Sequence, residues 1–460
     1  MTERTNAARM HLFDESARHY AARFQDYLLH RLEQTHPPLR GPKTAHELDD
    51  ATGPLITDEG LGYEAAYTAF TEVIATATIA MDHPRMLAYV PAAPTVASEL
   101  MDSVIAASSI YAGSWMEASG VVHAENAALE WLSNLAGLPA SAGGTFVAGA
   151  TIGTLSALAA ARDRYLNRHG DRPRRWRIAA TREAHSSVAE AARVLDAELL
   201  TLPVNEDLRV SVDGLAQLGA EDLDGVFAVV GTAGTTNLGI VDDLAALAEF
   251  AERHQLWFHV DGAYGGAALA APSVRANFAG IERCDSLVVD PHKWLFGPFD
   301  CCALLYRDPT QAVRAHQHDA GYLESLNNRR EFNPADLAIH LTRRARGLPF
   351  WFSLAVHGTR AYADAVEAAL SLTREVTQVI DDDPLLEVAH RPELSVIVFR
   401  RIGWEAQDYL AWEKRLLQEG VAFVASTRYG QETLARLCFV NPLTSMGDVR
   451  LILDDLRVDR

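Results

Sequence analysis

Apolar residues along the chain fall into three textures. Over residues 11–34 they recur at helical spacing, and again over 63–80. Between these runs, residues 35–53 carry Pro37, Pro38, Gly41 and Pro42 and read as a loop. Two helices and a loop are too thin to bury a core, so residues 1–85 are expected to pack on another surface. From about 86 to 346 short continuous apolar runs alternate with amphipathic helices. The runs are 145–147, 176–180, 226–230, 257–260, 286–289 and 302–306; the helices are 121–136, 154–164, 187–195 and 244–254. Strands without polar alternation are buried on both faces, so this pattern predicts an α/β domain on a mostly parallel sheet. After 347 the texture changes again. A long helix (350–380), the turn Asp381-Asp382-Asp383-Pro384, a strand (394–400), a helix (405–420), strands near 421–424 and 437–440, and a last helix (446–456) predict a smaller α+β domain over 347–460.

Composition narrows the function. A chain of 460 residues suits two or three lobes. Lys plus Arg number 41 against 61 Asp plus Glu, a net charge of −20, which disfavours nucleic acid and anionic membrane surfaces as partners. The most apolar stretch, 146–161, is too short to span a bilayer. Four irregularly spaced cysteines make no disulfide framework, and no apolar signal region opens the chain, so a cytoplasmic address is expected. Only three lysines occur, Lys43, Lys293 and Lys414.

Ligands of such sheets gather at the carboxyl ends of the strands, so the residues there carry the chemistry. Lys293 follows the run 286–289 within Asp290-Pro291-His292-Lys293-Trp294, whereas Lys43 lies in the Pro-rich loop and Lys414 beside Glu413 and Arg415 on an amphipathic helix. A lysine there is either a surface turn residue or a desolvated amine, of lowered pKa, able to form a Schiff base. Asp261 follows 257–260 and precedes Gly262-Ala263-Tyr264. It suits a flat pyridinium ligand, a helix cap or a metal. Ala148 to Thr154 opens a helix with small residues whose N–H groups can meet an anion, yet matches neither a Walker A loop nor GxGxxG. His185 and the run Gly231 to Thr236 follow two further strands. Five strand ends thus offer an anion nest, a histidine, threonines, an aspartate and a lysine, which together suit a phosphorylated, pyridine-like aldehyde.

With these motifs in place, the chain resembles the group II pyridoxal-phosphate decarboxylases, the aromatic-L-amino-acid decarboxylase type. The resemblance runs from His83-Pro84-Arg85 and Ala88-Tyr89-Val90-Pro91, through Ser114-Trp115 and Gly143-Gly144, to His259 through Tyr264, Asp290 through Trp294, and Asn441-Pro442. It implies the type I pyridoxal-phosphate fold (aspartate-aminotransferase-like) with a seven-stranded large-domain sheet, pyridoxal 5'-phosphate as cofactor, no metal, and an obligate homodimer. The active site would lie at the dimer interface, with residues 1–85 wrapped on the partner. It implies that Lys293 carries the cofactor as a Schiff base, Asp261 pairs with the pyridine nitrogen, and His185 and Ala263 pack on its two faces. Ala150 and Thr151 would hold the phosphate with His292 and Asp290, and Thr236 would lie near the cofactor or the substrate carboxylate.

The reaction so implied is decarboxylation of an L-amino acid to the primary amine and CO₂. The proton donor to the former α-carbon would be Tyr322, in the loop after the lysine strand. A phenylalanine there goes with oxidative aldehyde synthases, and this chain has tyrosine. The substrate pocket would draw on Tyr89, Val90, Ala92, Tyr111, Trp115 and Arg343. Val90 and Gly113 are small where aromatic decarboxylases are large, Ala92 replaces a threonine, and Tyr111 is bulky where they carry an aliphatic residue.

Overall fold

A computed structural model of the chain describes residues 10–317 and 331–457. Its largest element is a seven-stranded sheet of order β1-β7-β6-β5-β4-β2-β3. The strands are β1 (Gly143–Val147), β2 (Trp176–Thr181), β3 (Ala197–Leu202), β4 (Val226–Thr232), β5 (Trp257–Asp261), β6 (Ser286–Val289) and β7 (Cys302–Tyr306). The ladders β2–β3, β2–β4, β4–β5 and β5–β6 are parallel, and β7 runs against both its neighbours. Six strands therefore point one way. Alternate residues of the same strands feed two cores, one on each face. Ala179, Val229, Phe258 and Leu287 enter one; Ile178, Ala228, Val230 and Val288 enter the other. The continuous apolar runs are explained by this double burial.

The second sheet is antiparallel, with order β10-β11-β9-β8, where β8 is Leu386–His390, β9 Val396–Arg401, β10 Ala425–Tyr429 and β11 Glu432–Cys438. Its core gathers Phe399, Trp412, Leu437 and Ile452. Tyr264, from the loop after β5, ties this sheet to the large one. Its ring stacks on Trp294 at 5.4 Å, its hydroxyl lies 2.6 Å from Ser395 Oγ, and Ser395 N–H donates to that hydroxyl at 2.9 Å.

Several elements depart from the pattern reading. The helix expected over 63–80 is an α-helix only over Gly62–Thr68, then a π-turn Ala69–Ile74 and a 3₁₀ turn Ala75–Ala77. The long C-terminal helix, Leu348–Asp381, breaks at Gly358, whose φ of +77° leaves the helical region. The apolar run 421–424 is not a strand of the small sheet. Its Phe423 carbonyl instead accepts the Leu87 and Ala88 amides at 2.8 and 3.0 Å, binding this segment to residues 85–88. The helix Val96–Ser108 and the strands β3 and β8 carry too little apolar periodicity to be read; β3 is a half-exposed edge strand.

Helix Glu15–Glu33 pairs with the 62–77 segment through aromatic contacts, Tyr20 on Tyr63, Phe24 on Tyr67 and Tyr27 on Phe70. Neither helix Glu15–Glu33 nor helix Gly62–Thr68 has a buried residue, and Phe13, Ile56 and Phe70 stand exposed. Among the described residues no helix is long and apolar enough to cross a membrane.

The Tyr264–Ser395 tie is buried at both ends. Tyr264→Phe removes the acceptor of the Ser395 N–H. The expected cost is about 1–3 kcal/mol, read as a lower urea midpoint with an unchanged slope. An unchanged midpoint would contradict the role given to this contact.

Candidate active site

Because six strands run in parallel, their carboxyl ends form one edge of the sheet, and the loops leaving that edge are cross-tied. Gly262 N–H donates to the Val288 carbonyl at 3.0 Å, and Asp290 N–H to the Ala263 carbonyl at 3.1 Å. The loop after β6 then folds tightly, with Lys293 N–H on the Asp290 carbonyl at 3.0 Å. This turn sets Lys293 Nζ 2.9 Å from Asp290 Oδ2. Burial pulls the Lys293 ammonium down, but the charge and hydrogen bond of Asp290, then the charge of Asp261, outweigh it and hold the group above the ordinary lysine range. The expectation of a lowered lysine pKa is thereby corrected. Desolvation acts as expected, but two carboxylates are buried with the amine.

Asp290 also takes a different part from the phosphate ligand expected of it. Its carboxylate, 2% exposed, faces Lys293 and lies 3.6 Å from His292 Nε2, and a carboxylate repels phosphate. It is the counter-ion of the lysine. His292 Nδ1 accepts the Cys301 N–H at 3.1 Å, which places the neutral ring's proton on Nε2. Burial holds His292 below its ordinary value, with Asp290 opposing. Cys302, at the start of β7, was not singled out from sequence. Burial, then the nearby Asp290, push its thiol far up, so it stays neutral beneath the site.

Asp261 ends β5 and is 5% exposed. Burial pushes its carboxyl up, opposed by the Ala263 N–H at 3.1 Å and by the charge of Lys293. A cationic ring nitrogen placed beside it would favour the carboxylate further. His185 is the N-cap of helix Ser186–Val194. Its Nδ1 accepts Ser187 N–H at 3.2 Å and lies 2.9 Å from Ser187 Oγ, which fixes the ring and puts the proton on Nε2. Ala150 and Thr151 open helix Ala150–His169, whose N-cap Gly149 provides no side-chain cap. The first N–H groups of that helix keep the positive end of its dipole open to an anion. Gly153 lets the helix lie close on β6, because a Cβ there would sit 2.6 Å from Val288 Cγ1.

Two expected pocket residues are joined by an arginine that sequence reasoning missed. Arg436, on β11 and 4% exposed, donates to the Tyr89 carbonyl at 2.6 Å and to the Thr236 carbonyl at 2.6 and 3.1 Å. The signal available was an arginine in the otherwise apolar run Leu434 to Val440. Tyr89 is exposed with φ +53°, while Val90 is half-buried and Ala92 buried. Tyr111 O–H donates to the Leu341 carbonyl at 3.2 Å, and Trp115 N–H to Asn333 Oδ1 at 3.1 Å. A Cβ on Gly113 would lie 2.3 Å from the Tyr111 hydroxyl oxygen, so the tyrosine fills the space a side chain at 113 would need.

Arg343 is buried inside the fold. It is 3% exposed, forks onto Glu125 at 2.7 and 2.8 Å, and donates to the Ala112 carbonyl at 2.8 Å. Its charge is spent inside the fold on Glu125, which corrects its expected place among the substrate-pocket residues. Tyr322 lies outside the described residues.

A family model described as "Pyridoxal-dependent decarboxylase conserved domain" matches residues 46–402. The chain belongs to the pyridoxal-dependent decarboxylase family. It is a carboxy-lyase of that family, its cofactor is pyridoxal 5'-phosphate, and its fold is type I. The chain is 31% identical over 388 residues to the aromatic-L-amino-acid decarboxylase of Bacillus atrophaeus, covering 81% of this chain and 80% of that one. It is 26% identical over 439 residues to the L-2,4-diaminobutyrate decarboxylase of Acinetobacter baumannii, covering 88% and 86%. The crystal structure of Oryza sativa TDC with PLP and tryptamine superposes with a TM-score of 0.87 at 22% identity, covering 99% of each chain.

The residues present fit this cofactor: an amine at a strand end, a buried acid beside it, a fixed histidine, and an uncapped helix N-terminus for the phosphate. The Lys293–Asp290 pair has a direct consequence. An ammonium must lose its proton before it can capture an aldehyde, and Asp290 opposes that loss. Asp290→Asn removes the largest upward influence on Lys293. The rate at which cofactor-stripped protein takes up pyridoxal phosphate, followed by absorbance, is therefore expected to reach its plateau at a pH lower by roughly one unit or more. An unshifted profile would remove Asp290 from this role.

Proposed function

We propose that this enzyme converts an L-amino acid with an aromatic side chain to its primary amine and CO₂. The observation that carries the reading is the lysine ammonium held on Asp290, within the field of Asp261, at the carboxyl edge of the sheet. Bound pyridoxal phosphate supplies a sink for the electron pair left when CO₂ departs. Lys293 holds it covalently, and Asp261 keeps its ring nitrogen protonated. His185 and Ala263 flank the ring, and the amides at Ala150 and Thr151, with His292, hold its phosphate. Tyr322 delivers the proton to the former α-carbon. Identity to the Bacillus aromatic decarboxylase supports the aromatic class. The bulk of Tyr111 in the space above Gly113 supports a pocket refilled by an aromatic wall rather than enlarged.

The enzyme works as a homodimer with its active site at the interface. The N-terminal helices, which bury no residue of their own yet expose Phe13, Ile56 and Phe70, suit a partner's surface. Four free, buried thiols suit a reducing cytoplasm.

Incubating the loaded protein with a panel of L-amino acids tests the reaction. An aromatic amino acid is expected to yield amine and CO₂ in equal amounts without hydrogen peroxide; aldehyde with peroxide and ammonia would overturn the reading. Tyr322→Phe is expected to lower amine formation by at least about 100-fold and to release aldehyde in its place. Undiminished amine formation in that variant would remove Tyr322 as the donor.

A further inference from the structure

A cavity of about 370 Å³ lies between the N-terminal helix, helix Val96–Ser108, helix Leu348–Asp381 and the segment after Lys293. That size is at the lower end for small-molecule sites, which run about 300–1,000 Å³. Its walls are mostly apolar and include Phe296, Tyr362 and Leu443. Its charged lining is uneven. Arg31 is taken by Asp82, Nη2 to Oδ1 at 2.6 Å, whereas the half-buried Glu99 has no ion pair or side-chain hydrogen bond among the described residues.

An acid in the first turn of a helix is ordinarily explained by the helix dipole. Here that explanation falls short. Burial, then the charge of Asp82, push the Glu99 carboxyl up to about 7, and Arg31 only partly offsets them. His357 and the Tyr362 hydroxyl are the other titratable groups lining the cavity, and burial pushes that hydroxyl up to about 12. A half-desolvated carboxyl in a mostly apolar cavity, facing a second carboxylate and without a cation of its own, favours a cationic ligand. We propose that this cavity is a second ligand site, separate from the pyridoxal-phosphate site. It takes a primary organic ammonium with a compact apolar tail, the nitrogen on Glu99 and Asp82, the tail against Phe296, Tyr362 and Leu443.

The site is wired to the catalytic lysine. Phe296, three residues beyond Lys293 with φ +58°, turns its carbonyl to the Thr95 N–H at 3.0 Å and the Ser98 hydroxyl at 3.2 Å. Thr95 caps the helix that carries Glu99, and its hydroxyl lies 2.7 Å from Ser353 Oγ, to which Tyr362 O–H donates at 2.6 Å. An occupant therefore presses on the segment that positions Lys293, and the site acts as a regulator of it. That the natural ligand is the enzyme's own amine product rests on the decarboxylase reading. The preference for an ammonium does not.

Calorimetric titration of 2-phenylethylammonium into the pyridoxal-phosphate-loaded protein tests the site, with Glu99→Gln and Val96→Trp compared against the wild type. Val96 is 52% exposed on the rim, so its replacement fills the mouth without touching a core. At pH 8 the wild type is expected to bind two equivalents per chain and each variant one, with turnover at low amine unchanged. Between pH 8 and 6 the wild type's second equivalent should weaken about tenfold, as a carboxyl titrating near 7 becomes neutral. A stoichiometry that is the same in the wild type and in Glu99→Gln, whether one equivalent or two, overturns the proposal. The titration needs no turnover, so a failure of the decarboxylase reading would show separately, as no amine formed from amino acids.

Discussion

A lysine ammonium taken out of water at the end of a buried strand is unstable unless opposite charge goes with it. Here two carboxylates do. Asp290 touches the amine, and Asp261 acts on it from the neighbouring strand end. Every other feature of the site follows from keeping this group in place: the tight turn that returns Lys293 over Asp290, the cross-ties between the loops after β5 and β6, the neutral His292 ring oriented by the Cys301 amide, and the neutral thiol of Cys302 below. The same charges set the chemistry. A carboxylate beside the lysine keeps it protonated and localised, and the buried Asp261 carboxyl, pushed up by desolvation, would be stabilised as a carboxylate by a cationic ring nitrogen placed beside it.

The sheet makes that arrangement possible by bringing five loops to one edge. Its parallel strands are buried on both faces, so the loops begin from a rigid frame, and the close approach of helix Ala150–His169 at Gly153 aims an uncapped helix end at the same edge. The small sheet closes the site from the other side. Arg436 reaches from β11 to the carbonyls of Tyr89 and Thr236, and Tyr264 reaches back to Ser395. The two sheets are thus joined by contacts made within the very loops that carry the chemistry.

What was legible in the sequence follows from what local pattern encodes. Strands β4, β5, β6 and β7 announce themselves because a doubly buried strand must be apolar throughout, and Lys293 stands out because the chain has only two other lysines, both in polar contexts. Edge strands such as β3 and β8 lack that constraint and could not be read. Side-chain partners were beyond reach for another reason. Arg343 and Glu125 lie 218 positions apart, and Asp290 shows itself as a counter-ion rather than a phosphate ligand only once the turn brings its carboxylate to Lys293 Nζ. Arg436 was hidden in the same way, since its side-chain hydrogen bonds reach residues about 200 and 347 positions distant.

The central claim is that Lys293, alone of the three lysines, is the amine that carries the cofactor. Borohydride reduction of the loaded protein, followed by proteolysis and mass spectrometry of the peptides, tests it directly. The account predicts one pyridoxyl adduct per chain, on the peptide containing Lys293. An adduct on Lys43 or Lys414, or none at all, would contradict it.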